Sequence, residues 1–200
     1  MSGLPPGVTI TPGFAEAERP VVASLYWQAF GAKLGRVLGP DRKAREFLTV
    51  ALDPRHALCA RDGDGGLLGV AGFKTFSGGL VDGGLRRLVG TYGTMGASWR
   101  MVLLAALGND IDNRRFLIDG LFVAPDARGR GIGTALILAL EAEARRRGHD
   151  ELRLEVIDEN IRARALYERL GFAVVGRHRL GFLRWVFGFR GAATMVRVLP

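Results

Sequence analysis

Val123-Ala124-Pro125-Asp126-Ala127-Arg128-Gly129-Arg130-Gly131-Ile132-Gly133-Thr134 decides how this chain is read, because it joins a strand to a helix through a basic, glycine-rich turn. Upstream, Phe116 to Val123 reads as a mostly buried strand, ended by Pro125, which has no N–H to give a ladder. Downstream, Ile132, Leu136, Leu140 and Ala144 recur every four residues, the spacing of one helix face. Gly129, Gly131 and Gly133 let backbone N–H groups come close to a ligand, and a helix start favours negative charge. Arg128 and Arg130 add cations that suit phosphate. A Walker loop is excluded, since Gly133 is followed directly by Thr134 with no lysine. A dinucleotide fingerprint fits poorly too: the third glycine comes one residue early, and no first βα unit precedes the loop.

A second segment narrows the reading. Asn160-Ile161-Arg162-Ala163-Arg164-Ala165-Leu166-Tyr167-Glu168-Arg169-Leu170-Gly171-Phe172 follows the strand-like run Leu152 to Ile157. Asn160 suits an N-cap, Ile161, Ala165, Leu166 and Leu170 form an apolar stripe, and Gly171 suits the residue after a helix. Here the chain resembles the GNAT superfamily of CoA-dependent N-acyltransferases. That family's loop, Gln/Arg-x-x-Gly-x-Gly/Ala, is matched by Arg128-x-x-Gly131-x-Gly133, and its Asn-x-x-Ala-x-x-Leu-Tyr-Glu-x-Leu-Gly-Phe signature is matched from Asn160 to Phe172. The resemblance is firm from Phe116 to Phe172 and weakens toward both ends. It implies an α/β (α+β) fold: a mixed, mostly antiparallel central sheet flanked by helices, with two splayed strands holding acyl-CoA.

Composition fits one domain, residues 14–200, behind a flexible lead of residues 1–13 rich in proline and glycine. The chain has 200 residues, of which 48% are hydrophobic, enough for a proper core. No apolar run reaches the ~18–20 residues of a membrane span, and no secretory signal is recognisable, so the expected setting is cytoplasmic, away from membranes. The single cysteine, Cys59, cannot form an intramolecular disulfide and reads as a buried, inert thiol. A net charge of +8 raises the question of nucleic acid. The arginines are spread over several helices, however. The one tight run, Arg145 to Arg147, ends a helix, where cations complement the dipole, and no aromatics interleave with it. A solvated basic surface is the preferred reading over an RNA- or ribosome-binding one.

The front half predicts helices over 15–39, with an early break at Pro20, and over 42–52. Two strands, 57–61 and 67–76, should flank the turn Asp62 to Gly66, and a helix should lie within 85–107. After Phe172 come strands over 173–180 and 193–199. The segment between them holds Trp185, Phe187 and Phe189, read as core or a homodimer contact. No His/Cys/Asp cluster has metal-ligand spacing, so no metal is expected.

What the resemblance implies chemically is acyl transfer from acetyl-CoA, as cosubstrate, to a primary amine of a small molecule or peptide. Backbone groups of Leu121, Phe122 and Val123 would hold the pantetheine arm. The amides of Arg128, Gly129, Arg130, Gly131, Ile132, Gly133 and Thr134 would take the pyrophosphate, and Asn160 would reach the arm from the other side. Tyr167 stands where the family places its acid, which protonates the leaving thiolate. A carboxylate must neutralise the incoming ammonium, whose pKa is ~10. Asp119, an acid inside an apolar strand, ranks ahead of Glu155 on the neighbouring strand. The alternatives are a fold that binds acyl-CoA as a sensor without turnover and, resting only on charge, an RNA-associated protein. His149 and His178 match no motif.

Overall fold

The computed structural model describes residues 4–82, 84–107, 116–181 and 184–199. Seven strands form one sheet: β1 (Thr9–Pro12), β2 (Ala57–Arg61), β3 (Leu67–Lys74), β4 (Phe116–Val123), β5 (Glu151–Ile157), β6 (Ala173–Arg179) and β7 (Gly191–Val198). Their order is β1-β2-β3-β4-β5-β7-β6. Every neighbouring pair is antiparallel except β4 and β5. The helices are α1 (Arg19–Leu38), α2 (Asp41–Ala51), α3 (Leu85–Leu107), α4 (Ile132–Arg146), α5 (Ile161–Arg169) and the short α6 (Arg184–Phe187). The fold is thus the mixed, mostly antiparallel sheet flanked by helices that the sequence predicts.

Each face of the sheet carries its own core. Ile132, Leu136, Ile137, Leu140 and Ala144 of α4 pack with Leu58, Ala60, Phe116, Ile118, Leu152 and Leu154 on one face. Val22, Trp27, Phe47, Leu48 and Leu88, from α1, α2 and α3, pack with Ala57, Cys59, Val70 and Phe122 on the other. The alternation of β2, with Leu58 and Ala60 on one side and Ala57 and Cys59 on the other, is the period-two pattern of a strand covered on both faces.

Three features depart from the sequence reading. Thr9–Pro12 is a sheet strand paired with β2 and Val8 before it is buried in the core, so residues 8–12, expected within the flexible lead, are held by the domain. Pro12 ends this edge strand, a position where a missing N–H costs no ladder bond. Pro20, an expected early break, lies in the first turn of α1, where its fixed φ suits a helix start. Finally, α3 is interrupted at Gly93, whose φ of 71° and ψ of 172° divide it into two helical stretches.

β4 carries the feature that builds the site. Gly72 of β3 faces Gly120 and the next residue, Phe73, faces Ile118, so Asp119 is an extra residue with no partner on β3. Such a bulge reverses the strand's alternation. Phe116 and Ile118 therefore enter the α4-side core, while Phe122, also even-numbered, enters the other. Gly120 beside the bulge is the sequence sign of it.

Candidate active site

The parallel pairing of β4 and β5 covers only Phe116 to Ile118 against Leu152 to Leu154. Beyond Ile118 the strands part, and a cavity of about 350 Å³ opens between them. Leu121 lines it from β4, Glu155, Val156 and Ile157 from β5, Asn160, Ala163 and Tyr167 from the start and body of α5, and Ala29, Phe30 and Lys33 from α1. Just past β4 the amide of Ala124 donates to the carbonyl of Leu68 at 2.8 Å. By the two-residue alternation of an antiparallel ladder, Phe122 turns its backbone the same way, to β3, while Leu121 and Val123 turn theirs to the open side. The carbonyl of Val123 is taken by Arg128 Nε at 3.2 Å and not by β3. Phe122 therefore departs from its expected place in the cradle. Its ring is 3% exposed and packs edge-on against Tyr26 and Phe30.

Below the gap the chain turns into α4 through Gly129 and Gly131, whose φ values of 77° and 81° lie in the left-handed region. The first amide of α4 to bond back is Ala135, at 3.0 Å to the carbonyl of Gly131. The N–H groups of Ile132, Gly133 and Thr134 thus have no acceptor within the helix, and no side chain caps it. Arg128, Gly129, Arg130 and Gly131 are exposed around these donors. This loop is a nest of outward N–H groups at the positive end of a helix dipole, flanked by two arginines, and it suits a phosphate-bearing ligand. Gly133 serves packing as well: a Cβ there would lie 3.3 Å from Leu166 Cδ2 of α5.

Tyr167 is 8% exposed, its ring against Phe172 and its edge on the cavity. Burial pushes its phenol up to about 12, so it stays protonated at any neutral pH. Asp119, on the bulge, projects toward the segment after β3, where its Oδ2 accepts from the amide of Leu80 at 3.0 Å and the amide of Val81 bonds it also. Burial raises its carboxyl above the ordinary carboxylate range, with Lys74, the two amides and His56 pulling the other way. Glu155 lies exposed at the cavity rim, 3.9 Å from Nδ1 of His178 on β6, a histidine that matches no motif. Asn160 Oδ1 accepts from Ala163 N at 3.2 Å and caps α5, which leaves the amide of its side chain to donate.

Sequence reasoning missed the α1 wall. Ala29, Phe30, Ala32 and Lys33 line the cavity, and Lys74 joins them from the end of β3. Lys33 Nζ lies 5.0 Å from the Phe189 ring centroid, and burial lowers its pKa while Glu155 and Asp119 oppose that shift. The small residues Ala29 and Ala32 within one helical turn before the lysine were the available signal. The aromatic segment divides: Phe187 and Phe189 are buried with Val37 of α1, as core, while Trp185 is 69% exposed. Cys59 is fully buried and its thiol pushed up to about 12 by burial, the inert cysteine that the sequence suggests. Arg145, Arg146 and Arg147 pair with Glu141 and Glu143 of their own helix at 2.6–2.7 Å. Among the described residues no cluster of His, Cys, Asp or Glu is arranged to hold a metal, and no helix is long and apolar enough to cross a membrane.

The site thus joins a splayed strand pair, a glycine-nest helix start and a buried tyrosine lining the gap. The sequence profile of the acetyltransferase (GNAT) family matches residues 20–172, and the chain belongs to that family. It is 38% identical over 86 residues to streptothricin acetyltransferase of Streptomyces lavendulae, covering 43% of this chain and 46% of that protein. It is 50% identical over 58 residues to mycothiol acetyltransferase of Beutenbergia cavernae, covering 29% of this chain and 20% of that one. The matched stretches thus span less than half of these relatives. In fold the chain is similar to a GCN5-related N-acetyltransferase from Kribbella flavida, with a TM-score of 0.62 at 20% identity over 98% of this chain and 100% of that one. It is also similar to Ard1 from Thermoplasma volcanium, with a TM-score of 0.59 at 16% identity over 97% and 99%.

Proposed function

We propose that this protein transfers an acetyl group from acetyl-CoA to a primary amine of a small molecule or peptide. The observation that carries the reading is that one cavity holds the open backbone of β4, the carboxylate of Asp119 and the phenol of Tyr167. Acetyl-CoA would supply a thioester carbonyl that a neutral amine attacks. The residues that fit it are Leu121 and Val123, whose backbone groups face the gap, Asn160 with its spare amide, and the N–H groups from Arg128 to Thr134 with both arginines.

Each remaining requirement has a group in place. An amine arrives as ammonium, attracted by Asp119 and Glu155, and must lose a proton before it can attack. Asp119 is the base: its raised pKa makes it a better proton acceptor than an ordinary carboxylate, and the Leu80 amide fixes its orientation. Glu155 sits at the rim, where it draws in cations and passes a proton outward. Tyr167 faces the developing thiolate as hydrogen-bond donor. A free thiol has a pKa of ~8.5, and the dry wall that raises the phenol also raises the proton affinity of a thiolate held against it. Tyr167 then regains its proton from solvent.

The test is release of CoA from acetyl-CoA in the presence of pooled primary amines, with calorimetry of acetyl-CoA binding alongside. Amine-dependent release is expected. Binding without release for any amine would instead make the protein an acyl-CoA-binding module.

A further inference from the structure

Building on the acetyl-transfer reading, we propose that Lys33 anchors an anionic group of the acceptor, so that the amines acetylated here are those carrying a carboxylate. The charges around the cavity are unequally satisfied. Asp119 takes the amides of Leu80 and Val81 and lies in the field of Lys74. Glu155 lies 3.9 Å from His178. Lys33 has neither a carboxylate within 4.0 Å nor a hydrogen bond among the described residues. The ring of Phe189, 5.0 Å from its ammonium, is a face with no negative atom to pair.

That ammonium is also held where it stands. Phe189 is 5% exposed and packed with Phe187 and Val37, which fastens the segment after β6 to α1. Arg36, one helical turn from Lys33 on α1, donates to the carbonyl of Trp185. A half-buried cation fixed on an aromatic ring, with Glu155 and Asp119 acting on it only from beyond contact distance, costs desolvation that hydrocarbon would not. At a cavity wall the missing anion is supplied by a ligand. The opposite charges across the same cavity fix what else that ligand carries. An ammonium drawn to Asp119 and Glu155 and a carboxylate seated on Lys33 describe one zwitterion, whereas a diamine would set its second charge against a lysine.

The test measures kcat/KM with saturating acetyl-CoA for amino acids, both α-amino acids and linear ω-amino acids of increasing chain length. Each is compared with its primary amide and with the diamine of equal length. A taurine arm separates carboxylate from sulfonate. A charge-assisted contact of this kind corresponds to a roughly ten- to hundredfold preference for the acid over its amide. That ratio should collapse in Lys33→Met, survive in Lys33→Arg, and turn toward the diamine in Lys33→Glu. Unfolding midpoints near the parent's show that the variants are folded. Turnover of amides or diamines as fast as of acids by the parent overturns the anion anchor while leaving acetyl transfer standing, and so does an acid preference that Lys33→Met retains. Failure of every amine to release CoA overturns the transfer reading itself, and the anchor with it.

Discussion

The two faces of the sheet have different characters. The face covered by α4 and α5 is built from local signals: a glycine nest runs straight into a helix start, and an asparagine caps the next helix. Its nest offers mainly backbone N–H donors, which suit phosphate whatever the rest of the ligand. The face covered by α1, α2 and α3 is built from contacts far apart in sequence, such as Lys33 with Phe189 and Leu80 with Asp119. Its polar groups are side chains of both signs. A ligand common to a family can be held by backbone geometry, which tolerates drift in sequence. An acceptor peculiar to one member needs side chains, which can change singly.

That division is open to attack by substitution. The largest effect belongs to Gly131→Asp, which forces a side chain into a backbone with φ of 81° and sets a negative charge in the nest. Acetyl-CoA affinity by calorimetry should fall by about two orders of magnitude, the loss of one or two charge-assisted contacts. A variant binding as tightly as the parent would place the phosphate site elsewhere.

Tyr167→Phe comes next. Only the hydroxyl goes, so cofactor affinity should hold while kcat drops by ~10²-fold, within the usual range for a general acid. An unchanged kcat on a good acceptor would transfer leaving-group protonation to water.

Asp119→Asn should remove the acidic limb of the pH profile of kcat/KM, because a base with a raised pKa loses activity as the pH falls through that pKa. Stability gives an independent readout. Burial favours the neutral carboxyl, so the contribution is complete below the unfolded-state pKa of ~3.9 and is lost as pH rises through the folded value. The asparagine variant should thus melt no lower than the parent at pH 7, with any gain fading toward pH 4. A limb that persists in this variant removes Asp119 from the chemistry.

Glu155→Gln is the smallest change. It should leave the limb in place and lower kcat/KM for charged amines by no more than a few-fold, more at low salt than at high, as for a half-screened rim charge. Loss of the limb here, with retention in Asp119→Asn, would exchange the two roles.

Legibility from sequence follows the same division. Arg128 to Thr134 and Asn160 to Phe172 act through neighbours in the chain, so spacing points to the nest and the cap, while Tyr167 is picked out by the resemblance to the family. Asp119 stands out as an acid in an apolar strand, yet its partners, the amides of Leu80 and Val81, lie far back in the chain, Leu80 by 39 residues, and leave no mark on that strand. β1 is hidden because four residues of an edge strand with a proline carry too little pattern to separate from a loop. Lys33 is hidden because α1 buries a broad stripe, and beyond the small residues Ala29 and Ala32 before it, what marks this lysine is packing against Phe189, far off in sequence.

The extra residue in β4 has a further consequence. A strand sandwiched between two cores ordinarily offers no place for a charged group, since each position belongs to one apolar layer or the other. At a phase break the succession skips a beat, and the residue standing there is claimed by neither layer. Asp119 occupies that vacancy. The molecule thereby sets a titratable group in the middle of its sheet without hollowing out either core. Deleting the one supernumerary residue would remove the carboxylate yet leave Phe122 opposite Val70 and in its own core, so the charged position is one the packing of the domain does not need.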